Sequence, residues 1–263
     1  MVWIAAIFIG LSLGLLGSGG SILTVPALIY LVGQDEKIAI AGSLAIVGVI
    51  AASSVISYHF KRQIKWSVVI RFGLPSMLAS YLAASLSVYL TGIMQLTLFA
   101  IVMLLSAFFM IRQPKIKTST YHGINGNNKA FNKDQHQQIK FIISGLIVGS
   151  ITGLVGVGGG FLIVPSLVLL TGLAMNNAVA TSLAIITLQS FTGFIKYHQL
   201  LNEQNISIDW QVIVTFSLIG IIGSLVGQKI AGKVPQHHLK RGFGIFLLIM
   251  GCFILYRSLT NLG

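Results

Sequence analysis

The sequence predicts an all-α integral membrane protein made of two copies of one unit, and three observations carry that expectation. The chain is 55% hydrophobic and only 8% charged over 263 residues, and it repeatedly runs apolar for about 20 residues, the length that crosses a ~30 Å hydrocarbon core. A soluble chain of this size would cover its apolar residues with many more charges. At a fixed offset of 139, residues 14–33 and 153–172 match at 11 of 20 positions. Each of those stretches is also interrupted by glycines, which a simple membrane span has no need of.

Eight apolar units follow in order: 2–32, 38–59, 67–90, 93–111, 139–172, 177–197, 210–231 and 239–256. The one long polar segment, between Arg112 and Lys140, is rich in Asn, Gln, Lys and His. It reads as a flexible loop (113–138) joining a first repeat, 1–112, to a second, 139–263. The offset of 139 continues through Ala41-Gly-Ser-Leu-Ala-Ile against Ala180-Thr-Ser-Leu-Ala-Ile, and through Tyr58-His59 against Tyr197-His198. After a five-residue insertion the offset becomes 144 and pairs Trp66 with Trp210, Ser80 with Ser224 and Phe99 with Phe243. Self-similarity of this kind marks a duplicated fold.

The first unit is too long for one straight crossing and its parts are too short. A helix over 2–32 would measure ~46 Å, whereas arms split at Gly17–Gly20 measure roughly 18–22 Å each. The fifth unit divides in the same way at Gly156–Gly160. Positive charge chooses between a broken crossing and a hairpin that returns to its own side. Eight single crossings divide the Lys and Arg residues 12 to 5, whereas two re-entrant units divide them 14 to 3. Excess Lys and Arg marks the cytoplasmic side, which favours the re-entrant form. Each repeat is then one Gly-broken, re-entrant helical unit plus three transmembrane helices. Three crossings is an odd number, so the repeats are expected to be inverted, with both termini periplasmic and the central loop cytoplasmic.

The net charge of +12 does not indicate nucleic acid, because the Lys and Arg lie between the spans. Cys252, the single cysteine, excludes an intrachain disulfide and a cysteine metal site, and is expected to be buried by its neighbours. Met1-Val-Trp-Ile-Ala lacks a basic start, so the first segment is expected to remain in the mature protein. No hydrolytic dyad, zinc motif, P-loop or nucleophile elbow is present, and the chain is expected to be neither an enzyme nor a holder of metal or cofactor.

The glycine breaks carry the chemistry. A short helix beginning near Ser21 or Gly160 would turn unpaired N–H groups and a positive dipole end toward an anion. The candidate binding residues are Gly17, Gly19, Gly20, Ser21 and Pro26 in the first copy and Gly156, Gly158, Gly159, Gly160 and Pro165 in the second. Gly10, Gly14, Gly145, Gly149 and Gly153 are expected to serve close helix packing instead. Ser43, Ser182 and Gln189 are candidate pocket residues, with Thr181 and Thr187 near them, although membrane hydroxyls often bond their own helix's carbonyls. Tyr58 and Tyr197 fit an interfacial belt. No Asp or Glu lies deep in an apolar unit and all five are expected in loops, which leaves His59, His198 and Lys196 as the candidates for proton coupling.

The doubled phrase Gly-x-Gly-Gly-x-x-x-x-Val-Pro-x-Leu, at 17–28 and 156–167, resembles the TauE/SafE family of sulfite exporters, also called the toluene-sulfonate uptake permease family. The resemblance covers both halves and places Gly17, Gly19, Gly20, Gly156, Gly158, Gly159, Pro26 and Pro165 on the family's motif. It implies an inner-membrane secondary transporter whose partners are a small sulfur-containing oxyanion and the lipid bilayer, most often an exporter of sulfite or organosulfonates. The substrate would sit where the two breaks meet, and one bundle would move against the other. This chain departs from symmetry where Ser21 stands opposite Gly160 and Gly42 opposite Thr181. An uptake permease for another small anion, and a non-transporting module for sulfur delivery or complex assembly, stay open beside this reading, as does the oligomeric state.

Overall fold

A computed structural model describes residues 2–112, 130–155, 160–171 and 173–260, and every element longer than a turn is a helix. The first half contributes α1 (Val2–Leu16), α2 (Gly19–Tyr30), α3 (Glu36–Phe60), α4 (Trp66–Leu86) and α5 (Gly92–Arg112). The second contributes α6 (Ala130–Val155), α7 (Gly160–Thr171), α8 (Met175–Glu203), α9 (Trp210–Ala231) and α10 (Gln236–Thr260). Helix α4 contains one π turn, Val69–Gly73. Among the described residues α3, α4, α8 and α9 are long and apolar enough to cross a membrane, whereas α1, α2, Gly92–Phe108 and Ile139–Val155 are shorter apolar stretches. Trp3, Phe8, Leu78, Leu82, Leu218, Ile222 and Ile249 are exposed on the outside, as lipid-facing residues are and a soluble protein's rarely are.

Two sequence expectations shift here. Helix α6 begins at Ala130, nine residues inside the stretch read as loop, because extending an established helix costs far less than starting one; residues 113–129 lie outside the described ones. Pro26 and Pro165, read as part of each interruption, sit inside α2 and α7 without ending them. The break in the first half lies earlier, at Gly17–Ser18, where Gly17 takes φ +77 and its N–H closes α1 on Leu13 O at 2.8 Å. Glycine adopts that left-handed conformation at no steric cost.

The chain reverses at that break. A Cβ on Gly19 would lie 3.0 Å from Ser12, and one on Gly20 would lie 2.7 Å from Leu13 Cβ and 2.8 Å from Ile9 O. Residues this far apart in sequence would be about 10–16 Å apart along a straight helix. So α1 and α2 form a helical hairpin.

The halves interleave. Gly10 meets Gly220 and Gly14 meets Ser224 backbone to backbone, so α1 lies along α9 in the same direction. In the equivalent place Gly145, Gly149 and Gly153 meet the backbones of Phe72, Ser76 and Ser80, so α6 lies along α4, again in the same direction. None of these glycines has room for a Cβ, and the packing role expected of them holds. Helices α3 and α8 cross at the centre, with Gly48 against Ser190 and Phe191 and Gly193 against Leu44. As the residue number rises along one helix it falls along the other, so this equivalent pair runs antiparallel. Phe99 and Phe243, on α5 and α10, are both fully buried at the matching position.

Candidate functional site

The starts of α2 and α7 meet. A Cβ on Gly160, the first residue of α7, would lie 3.0 Å from Ser18 Cβ and 3.1 Å from Ser21 Oγ, at the start of α2. On the other side of the turn Gly17 faces α8, where a Cβ would lie 2.9 Å from Val179 Cγ1 and 3.0 Å from Ser182 Oγ. Gly19, Gly20, Ser21, Gly160 and Ser182 are buried. Gly156, Gly158 and Gly159 lie outside the described residues.

The hydroxyls around this point are not equivalent. Ser21 donates to Ser18 O at 2.7 Å, Thr24 to Gly20 O at 2.6 Å and Ser43 to Ile40 O at 2.7 Å, each within its own helical turn. Ser182 donates to Val179 O at 2.8 Å and stands 3.5 Å from Gly17 O. Ser18 is fully buried and its hydroxyl has no partner among the described residues. Such a group costs about 1–3 kcal/mol when left unmatched; Ser18 stands at the N-cap position of α2 without a side-chain cap bond, beside first-turn N–H groups that have no carbonyl within the helix. Sequence reasoning passed over Ser18; its signal is a hydroxyl between the glycines of the first copy where the second carries Val157.

Other predicted residues lie elsewhere. Pro26 lines an apolar groove with Ala5, Phe8, Leu23, Tyr30 and Phe253, beyond the break. Gln189, seven residues past Ser182, donates through Nε2 to Ser76 on α4. Thr181 Oγ1 accepts from Lys65 N at 3.1 Å in a loop, and Thr187 donates to Leu183 O at 2.8 Å. His59 is exposed with its ring edge on Trp66 at 5.8 Å, and His198 stacks on Phe194 at 5.6 Å. Lys196 Nζ lies 5.5 Å from the centre of the Tyr81 ring. These contacts put the three titratable candidates at helix ends, against aromatic rings.

Two expectations are corrected. Cys252 is exposed, because it falls on the outer face of α10 rather than the face turned to α5. Tyr58 and Tyr197 are buried, not interfacial, and their hydroxyls come within 3.5 Å of Gly14 O and 3.4 Å of Gly153 O. They occupy equivalent places and brace the two arms that precede the breaks. Gln95 adds a second contact in one half only, donating to Tyr197 Oη at 3.1 Å and Leu154 O at 3.0 Å.

Residues 2–254 match the family model described as "Sulfite exporter TauE/SafE". A probable membrane transporter protein of Xylella fastidiosa is 30% identical, covering 97% of this chain and 94% of its own. A probable membrane transporter protein of Methanocaldococcus jannaschii is 28% identical over 95% of this chain and 94% of its own. Bacillus subtilis YunE, also a probable membrane transporter protein, is 26% identical over 99% of this chain and all of its own length, 100%. No solved structure matches the chain.

Proposed function

The chain belongs to the sulfite exporter TauE/SafE family of multi-pass membrane transporters, and on that premise we propose that it is a secondary transporter exporting a small sulfur oxyanion, sulfite or an organosulfonate, across the inner membrane. The observation that carries this reading is the meeting of Gly160 with Ser18 and Ser21, which brings two helix starts to one buried point. First-turn N–H groups of α2 and α7 and the Ser18 hydroxyl supply donors to an oxyanion, and Ser182 Oγ lies across Gly17 from them. Ser43 is the pseudo-equivalent of Ser182 on α3 and is held within its own helix by its bond to Ile40 O. No ionised side chain is among these groups, so the anion is held by dipoles and is released as readily as a carrier requires.

The direction of α3 against α8 supports the inverted arrangement. Eight single crossings would make both of them even-numbered spans running the same way. Two hairpins make them antiparallel, as Gly48–Ser190 and Gly193–Leu44 require. With the 14 to 3 division of Lys and Arg, this favours periplasmic termini and a cytoplasmic central segment.

The test is anion flux in proteoliposomes under an imposed pH gradient, with sulfite, organosulfonates and sulfate compared. Ser18→Ala removes a buried, unmatched hydroxyl and is expected to leave stability equal or higher while raising KM about five- to tenfold, the worth of one hydrogen bond. If none of these anions moves, or Ser18→Ala carries them with an unchanged KM, the site is misassigned. Gradient dependence retained after replacing His59, His198 and Lys196 together removes them as coupling groups.

A further inference from the structure

A small polar cleft of about 50 Å³ opens beside the hairpin, lined by Tyr58, Lys61, Gln63, Asn176, Val179 and Gln228. Its floor reaches the site, because Val179 is also the residue that closes on Gly17. Tyr58 stands in its wall, with its hydroxyl toward Gly14 O and Lys61 Nζ 5.5 Å from the centre of its ring. Asn176 Oδ1 and Gln228 Oε1 are buried and have no partner among the described residues. Turning either amide about its last bond presents N–H groups to the same space. None of the lining residues is acidic.

The pseudo-equivalent cleft around Tyr197, lined from both halves, is formed by Lys37, Ser87, Gln95, Tyr197, Leu201 and Gln204. Tyr197 takes the place of Tyr58, and Lys37 that of Asn176. Gln95 bridges Tyr197 to Leu154 O across that cleft. The matching position in the other half is Leu239, which has no group for such a bridge. One cleft is therefore latched by the Gln95 hydrogen bonds, and position 239 cannot supply the same bridge to the other.

We propose that the Tyr58 cleft is the vestibule of the transport site, where a small oxyanion docks on Lys61 Nζ and the Asn176 and Gln228 amides before passing Tyr58 and Val179 to Gly17. This rests on the transport reading above. Arg62, Lys65, Lys229 and Lys233 follow on the same helix ends and loops, and a surface of one sign raises the local anion concentration at its mouth. In the topology proposed above the vestibule faces the cytoplasm, where an exporter loads.

The test uses the full chain in detergent with Cys252→Ser, which removes the only cysteine, and Asn176→Cys as a reporter. Thiol modification is timed with methanethiosulfonate reagents, one carrying an ethylsulfonate and one a trimethylammonium group. The expected result is faster reaction with the sulfonate reagent. The ratio of the two rates should drop about fivefold on Lys61→Gln, and millimolar sulfate or ethanesulfonate should slow both reactions only when Lys61 is present. Gln63→Cys repeats the measurement from the opposite wall should Asn176→Cys fold poorly. A rate ratio that ignores Lys61→Gln, or no protection by either anion, overturns the vestibule. Flux without protection sinks the vestibule alone, and protection without flux sinks the transport reading alone.

Discussion

Replacing Gln189 and Ser76 together is expected to restore what either replacement alone removes. Gln189 Nε2 donates to Ser76 Oγ between α8 and α4, and both residues are buried. At the pseudo-equivalent place between α3 and α9 stand Ile50 and Gly220, with the Ile50 side chain filling the space a Cβ on Gly220 would take. The same interface is thus closed once by a polar pair and once by an apolar one. Ser76→Gly leaves the whole Gln189 amide without a partner, a loss of about 1–3 kcal/mol. Gln189→Ile alone crowds Ser76 and strands its hydroxyl, with a loss of similar size. Polar pairs in membrane interiors couple by about 0.6 kcal/mol on average and up to about 1.7. Refilling the gap adds packing, so the interaction energy of the pair is expected at about 1–2 kcal/mol. Reversible unfolding of the four proteins in mixed micelles measures it, with flux recorded beside it. Losses that simply add would refute the pairing. A double variant that regains stability but not flux would show that Gln189 holds the substrate rather than α4.

Three further outcomes follow from the same contacts. Gly149→Leu should destabilise by about 1–3 kcal/mol or abolish folding, because its side chain would enter the Ser76 backbone; Gly42→Ala, where a Cβ would meet nothing closer than 3.5 Å, is the silent control in thermal unfolding. Gln95→Leu, which copies position 239, should quicken hydrogen exchange near Leu154 with little change in the rest of the chain; unchanged exchange there would deny Gln95 its bridging role. In the Cys252→Ser background, Gly48→Cys with Ser190→Cys places the two Cβ atoms near 3.3 Å, a few tenths of an ångström short of the usual ~3.8 Å of a disulfide. Oxidation should then stop flux and reduction restore it, and full flux in the bridged protein would mean that the α3–α8 seam does not move.

The helices, their pairing into halves and the hairpin at the first break were legible because each is a one-dimensional signal. Apolar run length, a constant offset and loop charge all survive without knowledge of contacts. The meeting of Gly160 with Ser18 was foreseen only as an idea, that two breaks converge. Tyr58 and Tyr197 misled for a physical reason. A tyrosine next to a histidine at a helix end has the composition of an interfacial belt, and only the hairpin arm lying beside it supplies the carbonyl that draws it inward. Ser76 and Gln95 carried no local signal at all. Their importance comes from partners 113 and 102 residues away in the chain, which sequence spacing within one helix does not express. Pro26 erred in the opposite direction, since a proline that would break a helix in water is tolerated where neighbouring helices satisfy the freed carbonyl.

The interleaving of the halves constrains how the two clefts can alternate. Helix α1 is held on α9, and α4 on α6, by glycines that let backbone touch backbone. Contacts that close have no room to slide, because any shift along the helix would drive the next side chain into the facing carbonyl. Each such pair joins an arm of one half to a spanning helix of the other. These contacts oppose a separation of the two sequence halves as bodies, so the two bundles that move against each other need not be the two repeats. The α3–α8 seam is different in kind: Leu44, Ser190 and Phe191 face glycines there through side chains, which can change rotamer without breaking a backbone fit. Movement concentrated at that seam leaves the paired arms intact and carries Tyr58 and Tyr197, on α3 and α8, relative to the arms they brace. On the transport reading proposed above, opening one cleft while closing the other needs no charged carrier in the core. It needs only that the tyrosine contacts with Gly14 and Gly153 exchange strength, with Gln95 biasing the exchange toward the Tyr58 side.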